Sequence, residues 1–237
     1  MKKYKAILFD LDGTLIPMNM KEFTDGYFKF LAAKLAPLHI ETKTLIDTIW
    51  KGTATMMAND GRRTNADAFW EQFTEILGIP EQPARSLCDD FYSNEFMAAK
   101  RFTKDNPLAK EAVKAAKEAA GTVVLATNPI FPMAGQITRL SWVGLTTDDF
   151  NLVTAYETDS FAKPSPVYYD TVCERIGVAP EDCLMVGNDE YEDMYAASVA
   201  GIDGYLVTDT MIGSKEHPWN GMRGIFPEMI DFLKSLK

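Results

Sequence analysis

Two aspartates one residue apart, Asp10 and Asp12, stand where an apolar run ends in "ILFDLDGTLIP" (residues 7–17). Neighbouring carboxylates repel, so the pair calls for open water or a compensating cation. Three more clusters of reactive residue types follow other short apolar runs or precede a helix. They are Thr127 with Asn128, Lys163 before Pro164, and "GNDEYED" from Gly187 to Asp193. Together these supply carboxylates, a hydroxyl and an ammonium group, which suits metal-assisted phosphoryl transfer. Asp10 and Asp189 offer hard oxygens suited to Mg2+, an ion that needs few protein ligands. One carboxylate of the first pair can attack phosphorus, and the other can manage the proton of the leaving oxygen. Thr127 and exposed amides can hold phosphate oxygens, Lys163 can offset their charge, and Gly13 permits a sharp turn or close approach of backbone.

Each cluster has a plain structural alternative. Asp and Gly favour turns, Lys163 could be a solvated lysine before a helix, and Asp193 could complement a helix dipole. Thr127 and Asn128 could merely end a strand. Three clusters at strand ends and a lysine before a helix, together, weigh against coincidence, because ligands of open α/β sheets bind outside the carboxyl ends of the strands.

The elements that must position these groups are legible as alternating strands and helices. Strands are expected at Ala6–Phe9, Val123–Ala126 and Leu184–Val186, with weaker candidates at Leu152–Ala155 and Gly204–Val207. Continuous apolar runs of this kind suit strands buried on both faces of a parallel sheet. Helical segments at Pro107–Ala120, Ser165–Ile176 and Glu190–Ala200 each stop at a glycine. The pattern reads as an α/β fold, a doubly wound parallel sheet. Residues 18–102 break the rhythm. Helical periodicity at Lys21–Leu35, Thr42–Met57, Asn65–Leu77 and Pro83–Lys100 marks an inserted α-helical domain, leaving 1–17 and 103–237 as the core. Within the insertion, Arg62 and Arg63 sit in "NDGRRTN", a loop able to reach a substrate or to remain solvated. Lys51, Trp50 and Trp70 read as helix-surface or core residues.

Bulk properties narrow the function. A formal charge of −10 over 237 residues opposes nucleic-acid binding and anionic membrane surfaces. No apolar run approaches the length of a membrane span, and the N-terminal run is too short for a signal peptide. Cys88, Cys173 and Cys183 lack a CxxC spacing and read as reduced thiols, so a cytoplasmic location is expected.

"DLDGT", "TN", "KP" and "GNDEYED", in this order, resemble the four motifs of the haloacid dehalogenase-like superfamily. The helical insertion resembles its C1-type cap, between the first and second motifs. The resemblance implies an aspartyl-phosphate mechanism with Asp10 as nucleophile and Mg2+ ligand. It implies Asp12 as general acid/base, with its backbone carbonyl also on the metal. Thr127 would bind the phosphoryl group, with Asn128 and Gly13 beside it, and Lys163 would orient it. Asp189 or Asp193 would complete the metal site. The fourth motif departs from the usual Gly-Asp: Asn188 follows Gly187, then Asp189 and Asp193, and Asp189 is favoured as direct ligand because a charged oxygen binds Mg2+ better than an amide. The implied function is a phosphatase acting on a small phosphorylated metabolite. Alternatives are a phosphomutase of the same fold, or a non-catalytic phosphate- or metal-binding module suggested by Asn188. A dehalogenase is disfavoured by Asp12, a position at which the resemblance implies no acid in dehalogenases.

Overall fold

Side chains of β1 (Ala6–Phe9) alternate between two cores, which explains why all four are buried. Ile7 and Phe9 join one apolar cluster, while Ala6 and Leu8 join another on the opposite face. In the computed structural model, which describes residues 2–236, the chain then leaves the sheet. Four helices follow: α1 (Met20–Lys34), α2 (Thr42–Met57), α3 (Asn65–Leu77) and α4 (Glu81–Ser93), then a 3-10 segment at Glu95–Phe102. The chain returns through α5 (Ala109–Ala120), β2 (Thr122–Leu125), α6 (Met133–Trp142), β3 (Leu152–Val153) and α7 (Pro166–Ile176). It ends with β4 (Cys183–Gly187), a π-helical turn at Glu190–Tyr195, α8 (Ala196–Val199), β5 (Asp203–Val207), β6 (Met222–Gly224) and α9 (Phe226–Ser235).

The six strands form one sheet in the order β3-β2-β1-β4-β5-β6, and every pairing is parallel. Helices α5 and α9 cover one face through Val113, Ala116, Met229 and Leu233. Helices α7 and α8 cover the other through Tyr168, Tyr169, Val172 and Ala197. The expected α/β doubly wound sheet is therefore present. The chain steps from β1 to β2 on one side and later crosses to β4 on the other. This opens a crevice between the carboxyl ends of β1 and β4.

Several expected elements differ in detail. The helix expected at Pro83–Lys100 breaks at Asn94 (φ −126°, ψ −75°) and continues as the 3-10 segment. The helix expected at Glu190–Ala200 opens as a π turn, with the Met194 amide reaching back five residues to the Asp189 carbonyl. Strand β6, "MRG", had no apolar pattern to announce it; it exists because β5 pairs with it at the sheet edge. Two links join the helical insertion to the sheet, and they pair with each other. Met18 bridges Thr103, and the Lys104 amide donates to the Pro17 carbonyl at 2.8 Å. Among the described residues no helix is long and apolar enough to cross a membrane.

Candidate active site

The register of β1 against β4 sets Phe9 beside Val186, and the Asp10 amide donates to the Val186 carbonyl at 2.9 Å. Asp10 and the Gly187–Asp193 loop thus emerge side by side from the centre of the sheet. Gly13, at φ 89°, occupies backbone space open to glycine. A Cβ there would lie 2.3 Å from the Asn188 side-chain nitrogen, so the turn after Asp12 and the fourth cluster can meet only through a glycine. Thr14 ties them further, its hydroxyl lying 3.3 Å from Asp10 Oδ2 and 3.1 Å from Asn188 Oδ1.

Lys163 is fully buried between two carboxylates, with Nζ 2.9 Å from Asp10 Oδ1 and 2.6 Å from Asp193 Oδ1. Burial would depress its pKa, but the two flanking carboxylates outweigh that and hold it well above the ordinary lysine value. Asp193 spends its other oxygen on the amides of Asn188 and Asp189, both at 3.0 Å. It therefore braces Lys163 and the loop, and both its oxygens are occupied. Gly187 makes the room, since a Cβ there would meet the Asp193 carboxylate at 2.3 Å.

Asp189 caps the following turn, its Oδ1 accepting the amides of Tyr191 at 2.7 Å and Glu192 at 2.8 Å. Burial raises its pKa, with the Asp10 carboxylate adding to the effect. Asn188 donates its amide to the Thr210 carbonyl at 2.8 Å, so its carbonyl oxygen points back toward Thr14.

Asp12 has a partner that the sequence did not disclose. Arg139, on α6 and fully buried, pairs with Asp12 Oδ2. Its guanidinium lies 4.0 Å from the centre of the Phe131 ring and also bonds the Gln136 side chain. Asp12 Oδ1 is buried without a protein partner. Burial raises the Asp12 pKa, and Arg139 only partly opposes it.

Asp10, Asp12, Thr127, Asn128, Asp189 and Asp193 all line one cavity of about 260 Å3. Asn128 donates to Glu192 Oε2 at 3.0 Å and to the Lys163 carbonyl at 3.4 Å. Glu192, another residue not singled out from sequence, also lines the cavity, and burial lifts its pKa to about 8. Trp50, read from sequence as surface or core, lies half-exposed in the cavity roof, whereas Trp70 is buried in the helical insertion. Arg62 does not line this cavity. Its guanidinium pairs with Asp60, its Nε at 2.7 Å, in a separate cleft of the helical insertion, and Arg63 pairs with Glu71. The loop carrying them docks on the core through Asn65, whose Nδ2 donates to the carbonyls of Pro129 and Phe161 at 3.1 and 3.3 Å.

The donor set fits Mg2+ sparingly. Among the described residues no three His, Cys, Asp or Glu side chains converge as a closed metal cage. Mg2+ does not require one: it takes one or two carboxylates and keeps waters. The Asp10 and Asp189 carboxylates and the Asn188 amide line one cavity, all hard-oxygen donors. Soft ligands play no part there; the three cysteines are buried elsewhere as free thiols.

A family model described as haloacid dehalogenase-like hydrolase matches residues 4–201. A phosphoglycolate phosphatase of Xylella fastidiosa is 28% identical over 92% of this chain and 85% of its own length. A phosphoserine phosphatase of Thermus thermophilus is 25% identical over 84% of this chain and 86% of its own. Among solved structures, a HAD phosphatase from Thermococcus onnurineus shares the fold at TM-score 0.61 and 19% identity, covering 98% of both chains. L-2-haloacid dehalogenase from Xanthobacter autotrophicus shares it at TM-score 0.60 and 15% identity, over 99% of this chain and 100% of that one.

Proposed function

The chain belongs to the haloacid dehalogenase-like hydrolase family, and from that premise we propose a Mg2+-dependent phosphatase that hydrolyses a small phosphorylated metabolite. The observation that carries the reading is the pairing of Asp10, held by Lys163, with Asp12, whose Oδ1 is buried and unpartnered in the same cavity. An unpaired buried carboxylate oxygen is costly unless a ligand completes it.

An Asp10 oxygen attacks phosphorus while the bond from phosphorus to the leaving oxygen breaks. Asp12 passes a proton from Oδ1 to that oxygen, and the alcohol departs. Burial raises the Asp12 pKa, which favours the protonated form that this step uses. Water then attacks the aspartyl phosphate on Asp10 and gives its proton to Asp12, so phosphate leaves and both aspartates are restored. Lys163 holds Asp10 in place and balances charge, while the Thr127 hydroxyl and the Asn128 side chain border the phosphoryl group. Mg2+, held by Asp10, the Asp12 backbone carbonyl and Asp189 with Asn188, would offset the charge of the phosphoryl oxygens. Asp193 serves by bracing Lys163 and the loop. The helical insertion acts as a cap that keeps bulk water from the site.

The curated relatives named as phosphatases support this reading. Phosphate release from a panel of phosphate esters, measured with Mg2+ and with chelator, tests it. Turnover should require Mg2+ and vanish in Asp10→Asn. An isomeric sugar phosphate formed without free phosphate would instead establish the mutase reading. No turnover of any ester in the presence of Mg2+ would refute the proposal.

A further inference from the structure

Four large apolar side chains that remain in solvent converge on the catalytic cavity. They are Met20, Trp50, Met57 and Ile212, at 37%, 51%, 38% and 42% exposure. Single exposed apolar residues are ordinary, but four facing the same set of carboxylates form a patch with a use. Helical spacing explains the roof. Trp50, Thr53 and Met57 fall at i, i+3 and i+7 of α2 and line the cavity together, while Leu45, Ile49 and Met56 of the same helix are buried. Ile130 and Phe131 continue the apolar wall from the core side.

The remainder of the lining carries no positive charge. Among the described residues no Lys or Arg lines this cavity. Arg62 and Arg63 are paired in a different cleft. Lys21, Arg101 and Lys104 line a neighbouring groove, which meets the cavity at Met20, Asn188 and Ile212. Five of the lining side chains, Asp10, Asp12, Asp189, Glu192 and Asp193, are carboxyl groups. Asn128 is oriented by giving its two amide hydrogens to Glu192 and the Lys163 carbonyl, which leaves its Oδ1 buried and unpartnered. A carboxylate on the leaving group would find carboxyl groups on one side and hydrocarbon on the other, with no Lys or Arg on the lining to replace its water.

Resting on the phosphatase reading above, we infer that the leaving group is uncharged and lays an apolar or aromatic face against Trp50 and Met57. Leaving groups that carry a carboxylate, such as glycolate or serine, are disfavoured by the same wall. Substrate choice therefore differs from that of the relatives named phosphoglycolate and phosphoserine phosphatases.

The test compares kcat/KM for benzyl phosphate, 2-phosphoglycolate and acetyl phosphate, with Mg2+ and the full-length protein. Benzyl alcohol and glycolate are leaving groups of similar basicity, so contacts with the cap decide between them; acetyl phosphate reports the core chemistry with a minimal leaving group. Benzyl phosphate is expected to exceed phosphoglycolate by about tenfold or more. In Trp50→Ala the ratio of benzyl phosphate to acetyl phosphate turnover should fall about fivefold, a ratio from which any loss of folded protein cancels. Phosphoglycolate equal to or better than benzyl phosphate, with acetyl phosphate still hydrolysed, overturns the inference and leaves the phosphatase reading standing. An unchanged ratio in Trp50→Ala also overturns it. If none of the three compounds releases phosphate faster than with Asp10→Asn, the phosphatase reading fails and the inference falls with it.

Discussion

Lys163 Nζ sits 2.9 Å from Asp10 Oδ1, and both groups are largely removed from water at the centre of the sheet. The same ammonium lies 2.6 Å from Asp193. One buried cation therefore serves two carboxylates, and its removal strands both. Lys163→Met should cost about 3–5 kcal/mol of stability, read by urea unfolding, and lower kcat about 100- to 1,000-fold. Adding Asp193→Asn to Lys163→Met should recover part of the lost stability and none of the activity. A single variant as stable as the parent would contradict the arrangement.

Arg139 presents a guanidinium to Asp12 from α6 while lying on Phe131 and bonding Gln136. Arg139→Leu leaves the Asp12 carboxylate unpaired and free to rotate. Expected is a drop in kcat of about 10- to 100-fold. Arg139→Lys should not restore it, because an ammonium cannot lie flat on the ring and bridge two acceptors at once. Steady-state kinetics on one soluble ester decides the matter; full rescue by lysine would show that charge alone matters.

Asn65 ties the cap loop to the carbonyls of Pro129 and Phe161, which neighbour Asn128 and Lys163 in the chain. Its Oδ1 also accepts from Asn59 Nδ2 at 2.9 Å. Asn65→Leu leaves these groups unsatisfied, at a cost of about 1–3 kcal/mol. KM should rise more than kcat falls, and limited proteolysis should cut residues 59–65 faster.

Arg62 offers the contrasting case. It is exposed, paired with Asp60, and outside the cavity lined by Asp10 and Asp12. Arg62→Ala should change kcat/KM by less than about twofold, as surface substitutions away from a site do. A large rise in KM would place this arginine on the substrate.

Glu192 sets a pH dependence. Burial holds its pKa at about 8 in the folded protein, above the ordinary glutamate value of 4.5. Between those values the folded state binds more protons than the unfolded state, so stability declines as pH rises. The burial cost is absent below about pH 4.5 and complete above about pH 8. Its side chain keeps some contact with solvent, so a loss of about 2 kcal/mol is expected rather than the full value of the shift. Thermal unfolding in chelator should show Tm falling from pH 5 to pH 8, and Glu192→Gln should flatten that slope.

Much of the candidate site was readable because its residues fall in short local clusters. Asp10 with Asp12, Thr127 with Asn128, and Gly187 to Asp193 each follow an apolar run, and a parallel sheet brings the ends of such runs to one edge. Lys163 was readable by its residue type, though not its partners. Asp193 was legible as an acid four residues after Asp189, but not as the brace that saturates both its oxygens. That depended on the π turn at Glu190–Tyr195, which redirects the chain by one residue. Arg139 was not singled out from sequence, since nothing in "QITRLSW" announces a buried cation. Its role follows from α6 packing beside the loop that carries Asp12.

The sequence by itself determined the α/β alternation, the place of the helical insertion and the four reactive clusters. Those features depend on periodicity and on residue types within a few positions of one another. Tertiary structure alone decided which carboxylate pairs with which cation, and that Arg62 points away while Trp50 and Met57 face the cavity. Periodicity divides α2 into stripes but does not say which stripe lies over the sheet. That choice is made by the packing of the helical insertion on the sheet domain, through contacts between residues far apart in the chain.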